Sequence, residues 1–443
     1  MIPRSHIQPA LPLAAVLMAI TFMTSVDARA ETYDFDTYLA VVREHNHDLA
    51  LAREDRESAA ITEREARSGA LPTVGLETSY TRNLTNYYMF FDKSALDPRA
   101  TGSVKAPIKR DNETSTTLAL EQTIYSSEVR YAITASHQYA SLADEAYDAT
   151  EQAVLNGAKK LFYQCLFLEQ VRDVARAAET NAEDNAAVMQ DRYDNGQVSR
   201  FELLQAETRW RSAIPETRKA ERNLQLALNL LKNMAGIDPD ADIELAGTLD
   251  RAPGMPAKRE IENIYASRPD MRALDWERAL RETNLSATEG AWQPKFSGML
   301  AYNFTAQSDK FALEEKNRLW FAGITLSMPI YTGGYISAQV DKASVELKKT
   351  EVRIEKTKES VSTDVANAYL SLEEARQRIE SAATTRNTAD EAYRIAEIAT
   401  GEGLATQLQL KDARLMFDQA TVDYYAAVFD YFTAYFDWEY AVK

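Results

Sequence analysis

The sequence is 443 residues long and carries 50 Lys and Arg against 67 Asp and Glu, a formal net charge of −17. That sign argues against a nucleic-acid partner, because binding phosphate needs basic surface. Only 15 Gly and 13 Pro occur, which disfavours a soluble all-β chain, and the abundance of Ala, Glu, Gln, Arg and Leu suits long helices.

Residues 1–30 read as a secretory signal peptide. Arg4 and His6 give a weakly basic start, residues 11–23 are apolar, and Ala28-Arg29-Ala30 fits a small-x-small cleavage pattern. The apolar run is short for a membrane-spanning helix; an uncleaved N-terminal anchor is the alternative. No further long apolar segment follows, which excludes a helical membrane protein. No cysteine near the cleavage pattern means no lipid attachment there. The single Cys165 cannot close an internal disulfide and, among Phe162, Leu166 and Phe167, reads as a buried inert thiol.

Residues 34–69 read as one helix that stops at Pro72. Val74, Leu76, Thr78 and Tyr80 then alternate with Gly75, Glu77, Ser79 and Thr81, the period of a strand, over about 73–83. A polar and aromatic stretch, 83–112, leads to a second strand over about 113–123. Residues 127–192 contain no proline and only Gly157, so they form one helix about 100 Å long. Gly196 breaks it in a turn at 193–200, and a return helix covers 201–234, with Pro215 expected to kink it. Residues 236–256, with three prolines and three glycines, form a linker without strong periodicity. The plan then restarts: helix over 258–290, strands over about 295–305 and 318–328, a long helix to Thr400, a turn at 400–407, and a last helix.

That restart is an internal duplication. Leu71-Pro72 corresponds to Gln293-Pro294, Ile124-Tyr125 to Ile330-Tyr331, the turn Asn195-Gly196 to Glu402-Gly403, and Gln205-Ala206 to Asp412-Ala413, all in the same order. The repeats run over 31–235 and 257–443. Each strand of about ten residues suffices to cross a bilayer when tilted. A spanning strand needs a closed barrel, and four strands are too few. Several copies must therefore pool their strands, and three would supply twelve. Soluble hairpins packed on helices are the alternative. The second long helix repeats a small or apolar residue every seven: Val340, Leu347, Ile354, Val361, Ala368, Ala375, Ala382, Ala389 and Ala396. That marks a helix supercoiled on a neighbour. The first long helix has a noisier version in Ala132, Tyr139, Ala146, Ala153, Phe167, Val174 and Val188, broken by Lys160 and Asn181.

The order helix, hairpin, long helix, glycine turn, return helix, given twice behind a signal peptide, resembles the TolC-type outer membrane efflux proteins. The residues that carry the resemblance are Leu71-Pro72, Pro329-Ile330-Tyr331-Thr332-Gly333-Gly334, Tyr193 and Gly196 with Leu204-Gln205-Ala206, and Gly403 with Leu410 and Ala413. The resemblance implies a mainly α protein with a transmembrane β part. It implies a homotrimer with a 12-strand outer-membrane barrel, continued by a 12-helix periplasmic α-barrel, and the linker in an equatorial belt. It further implies a passive exit channel without cofactor or enzymatic activity, docking to a periplasmic adaptor and indirectly to an inner-membrane pump for efflux or type I secretion. A secreted or periplasmic coiled-coil structural protein without a pore is the alternative. Asn46-His47-Asp48 departs from the family's Asn-Pro, whereas Arg268-Pro269-Asp270 keeps the proline.

By the same resemblance, inward carboxylates gate the periplasmic end six and nine residues after each turn glycine: Glu202 and Gln205 in the first half, Gln409 and Asp412 in the second. Three residues apart, each pair shares a helix face, and a ring of acids favours cations. Tyr193 holds the family's gate-tyrosine place in the first half, with Thr400 in the second, and Ala405 stands where the family has a gate arginine. Gly196, Gln197, Val198 and Ser199, with Gly403, Leu404, Ala405 and Thr406, are the expected adaptor-docking turns. His45 and His47 splay apart on a helix, so no metal site is expected. No phosphate loop or nucleophile motif is present. The aromatics of the last helix, Tyr424 to Tyr440, are expected to pack against neighbouring helices.

Overall fold

The computed structural model describes residues 31–85, 87–95, 98–99, 101–249 and 252–443; the expected signal peptide, 1–30, lies outside the described residues. The chain opens with β1 (Glu31–Asp34), α1 (Phe35–His45), α2 (His47–Ser68) and β2 (Thr73–Arg82), then β3 (Tyr88–Asp92), β4 (Ser103–Pro107) and β5 (Asn112–Tyr125). Next come α3 (Ser127–Asp194), α4 (Arg200–Met234) and β6 (Ile243–Ala246). The second half holds α5 (Ile261–Ser267), α6 (Pro269–Glu289), β7 (Lys295–Ser308), β8 (Glu315–Ser327), α7 (Tyr335–Gly401) and α8 (Gln407–Val442). The helix expected over 34–69 is two helices. Asn46, extended at φ −63° and ψ 131°, caps α2 by accepting from the Asp48 and Leu49 N–H groups at 3.0 and 3.1 Å. The second half breaks at the matching place by other means: Pro269 starts α6 at its first position, where no N–H partner is needed. Helix α4 runs through Pro215 without interruption.

The chain divides into two compact units. One takes in residues up to Val42 and Leu161–Arg251, the other Arg43–Lys160 and Ala252–Lys443. In the first unit, β1 pairs in parallel with β6, Glu31 opposite Ile243, so the expected linker holds a strand. Tyr38, Val42 and Leu231 are fully buried there. Phe35 meets the Phe162 ring edge-on at 5.6 Å. Burial raises the Cys165 thiol to about 12, and the thiol itself is fully covered.

In the second unit α7 packs against α6 and α8 around Ile354, Val361, Leu372, Ala375, Tyr431 and Trp438. All nine residues of the α7 heptad are buried or half-buried. Of the α8 aromatics, Tyr431, Tyr435 and Trp438 serve this core, and Tyr431 donates to the Pro253 carbonyl at 2.7 Å. The α3 pattern has a different outcome: Ala132, Tyr139, Ala146, Ala153 and Val188 are exposed, and α3 buries Leu155, Ala158, Ala182, Ala186 and Met189 instead. Lys160, read as a break in that pattern, pairs with Asp437 of α8, and Lys159 pairs with Glu439 at 2.6 Å.

The second unit also carries an antiparallel sheet in the order β2-β5-β7-β8. Its registers align whole rows across four strands. Val74, Leu120, Leu300 and Ala322 form one row, and Leu76, Leu118, Tyr302 and Trp320 the next. Directly opposed residues lie on one face, so this face is apolar over these rows and turns mixed in the next, Thr78, Thr116, Phe304 and Arg318. The other face presents rows such as Glu77, Thr117, Asn303 and Leu319, or Ser79, Ser115, Thr305 and Asn317. The apolar face is uncovered: Leu76 is 70% exposed and Ile324 77%.

Candidate functional site

Each long helix ends in the same two-part device. Gly196 adopts φ +68°, a conformation costly for a residue with a Cβ. That lets the Gly196 N–H donate to the Tyr193 carbonyl at 2.9 Å and the Gln197 N–H to the Arg192 carbonyl at 2.8 Å, the hydrogen-bond pair of a Schellman stop. Gly403, at φ +72°, repeats it: the Gly403 N–H donates to Thr400 at 3.1 Å and the Leu404 N–H to Ala399 at 2.7 Å. Three residues on, each return helix starts with a capping box. The Glu202 carboxylate accepts from the Ser199 N–H at 2.7 Å and the Ser199 hydroxyl at 2.9 Å, while the Glu202 N–H donates to the Ser199 hydroxyl oxygen at 3.3 Å. Gln409 and Thr406 do the same at 2.8, 3.0 and 3.2 Å.

The residues expected at the gate therefore separate by role. Glu202 and Gln409 lie exposed but fold back onto their own caps, and the hydrogen bonds from Ser199 hold the Glu202 carboxyl below its ordinary value. Gln205 and Asp412 lie exposed one turn further on. Tyr193 and Val198 are half-buried against a small cluster of Ala186, Met189, Leu203 and Ala206. In the second turn region Tyr393 stacks on Phe417 at 5.9 Å, and Arg414 lies over the Tyr393 ring while pairing with Asp418 at 2.8 Å. The capping role of Glu202 and Gln409 was missed in the sequence, although the spacing Ser199-x-x-Glu202 and Thr406-x-x-Gln409 is its signature. Both turns carry uncovered apolar side chains, with Phe201 68% and Leu404 84% exposed.

Among the described residues no group of three or more His, Cys, Asp or Glu is placed to hold a metal ion, and no described helix is long and apolar enough to cross a membrane.

The chain matches the family model of the outer membrane efflux proteins over residues 39–237 and 261–434. It is 25% identical over 299 residues to the outer membrane efflux protein BepC of Brucella suis, a match that spans 65% of this chain and 64% of BepC. To the outer membrane protein TolC of Salmonella enteritidis it is 22% identical over 401 residues, 86% of this chain and 77% of TolC. The crystal structure of the Campylobacter jejuni CmeC outer membrane channel has the same fold, with a TM-score of 0.78 at 18% identity over 92% of this chain and 85% of CmeC. With the matched stretches taking in most of its length, the chain belongs to the outer membrane efflux protein family.

Proposed function

We propose that this outer membrane protein is a passive exit duct of a tripartite efflux or type I secretion system. Three copies pool their strands into one closed barrel, and their helices continue it across the periplasm. The four-stranded sheet carries this reading. Its apolar rows are in register on one uncovered face and its polar rows lie on the other, the alternation of a lipid-facing barrel wall. Among the described residues, strands β2 and β8 pair with no other strand on their outer sides. They run in opposite directions, so β8 of one copy can join β2 of the next antiparallel. In hydrocarbon such edges must be paired, and twelve strands exceed the minimum of about eight.

The matched stretches support two repeats, 31–235 and 257–443, joined by 236–256. Glu202, Gln205, Gln409 and Asp412 ring the periplasmic aperture, with Tyr193 behind the first pair. The turns at 196–199 and 403–406 dock on a periplasmic adaptor, for which exposed Phe201 and Leu404 offer apolar contact. The adaptor connects the duct to an inner-membrane pump, which selects the cargo and supplies the energy.

Planar-bilayer recording tests the reading. The purified chain is expected to need detergent for extraction and to conduct ions, whereas release by salt with no conductance overturns the duct. Replacing both Glu202 and Asp412 with Ala is expected to lower cation preference and pass larger solutes; unchanged selectivity would remove both from the lumen.

A further inference from the structure

The sheet ends in a polar rim where Arg82 faces Asn112 and Asn112 faces Ser308, with Glu113, Gln307 and Glu315 in the neighbouring row. This end is opposite to the one that feeds α3 and α7. Beyond the rim the chain turns apolar again. Strands β3 and β4 form a two-stranded ribbon that pairs with no other strand among the described residues, with Phe91 opposite Val104 and Phe90 opposite Lys105. Neighbouring residues of a strand point to opposite faces, so Phe91, Met89, Val104 and Ala106 make one face apolar, while Phe90 and Lys105 share the other. Tyr87 is 66% exposed and Phe90 67%. An isolated two-stranded ribbon is marginal in water, and this one leaves aromatic side chains exposed.

Its charge differs from that of the whole chain. Between Arg82 and Arg110 stand four Lys and Arg against two Asp, in a protein of net charge −17. Lys105 lies 3.8 Å from the Tyr88 ring centroid. Tyrosines with long basic side chains suit the membrane interface, where rings sit at headgroup depth and ammonium groups reach phosphate. The base is held in place: the Asn83 N–H donates to the Asp111 carbonyl at 2.7 Å, and Arg110 pairs with Asp309 at 2.8 Å and also with Glu315. We propose that the β3–β4 ribbon lies down on the outer leaflet and binds anionic, phosphate-bearing lipid headgroups, an anchor additional to the barrel wall. The proposal rests on the duct reading, because that reading puts the rim at the outer face.

The test uses the full chain with Phe90→Cys or Ile324→Cys, labelled with an environment-sensitive fluorophore. The buried Cys165 does not compete for label. Each protein is reconstituted in vesicles of phosphatidylcholine with phosphatidylglycerol, with lipids spin-labelled at the headgroup or mid-chain. The Phe90 label is expected to be quenched from headgroup depth and shielded from aqueous iodide. Headgroup quenching should fall roughly twofold in phosphatidylcholine alone, and as much when Lys93 and Lys105 are both changed to Gln. Iodide quenching of the Phe90 label as strong as that of a label at Gln197→Cys would overturn the anchor. So would pyrene excimer formation at position 90, which would assign the ribbon to a second copy. The Ile324 label separates the two readings: quenched from mid-chain depth, it keeps the sheet in the bilayer, so that failure at position 90 falls on the anchor alone. An Ile324 label that escapes the mid-chain probe removes the duct reading, and the anchor with it.

Discussion

Glu202 and Gln409 meet one local need with different charges. Both close a capping box, yet only Glu202 can be protonated. Its carboxyl is held below its ordinary value of 4.5, so its contribution is present above that value and lost as pH falls through the lower, folded one. Amide hydrogen exchange across 200–203 is therefore expected to quicken below about pH 4.5, while 407–410 shows no such step from its cap. Glu202→Gln should abolish the difference, and an unchanged acid step in that variant would remove the capping explanation. Ser199→Ala is expected to cost the first turn about 1 kcal/mol at neutral pH. These roles were written in the sequence as local spacing. What hid them was a second chemistry for the same side chains, since a carboxylate suited to an aperture is also suited to a helix N-terminus.

At the scale of elements, the heptad of α7 translated directly into burial because one seam faces its packed neighbours through Val361 and Ala375. Leu372, fully buried in that seam, gives the expected outcome: Leu372→Ala should lose about 2–5 kcal/mol by chemical denaturation, against about 1 kcal/mol for Asn46→Ala at the start of α2. Equal losses would contradict the packing described. Helix α3 resisted the same reading. Alanine is so frequent along it that several seven-residue phases look alike, and large side chains such as Leu155 and Phe162 decide which one is covered. The break at Asn46 went unread because a cap asparagine inside an amphipathic run leaves the apolar period intact; Pro269 marks the same break openly. The β3–β4 ribbon was missed because five-residue strands rich in aromatics on both faces show no alternation.

For the whole molecule, the legible part was the order of elements, α2, β2, β5, α3, α4 and then α6, β7, β8, α7, α8, since an order survives even where single residues drift. The sheet converts it into an assembly problem, because β2 and β8 each keep an unpaired side. Cysteines placed singly along β2 and β8, such as at Thr78 and Ala322, and paired in double variants, are expected to cross-link copies under mild oxidation. The resulting ladder on a denaturing gel should end at three. A ladder that stops at one or two bands would contradict three-fold closure, and one that runs past three would point to an open array.

Helix α7 runs 67 residues without a break, all of it inside one compact unit. At about 1.5 Å of rise per residue, dropping seven residues shortens a rod by about 10 Å. Such a rod behaves as a ruler rather than a hinge. On the duct reading, the gap it bridges is counted out in amino acids, so a cell that widened its envelope would have to lengthen the gene to match.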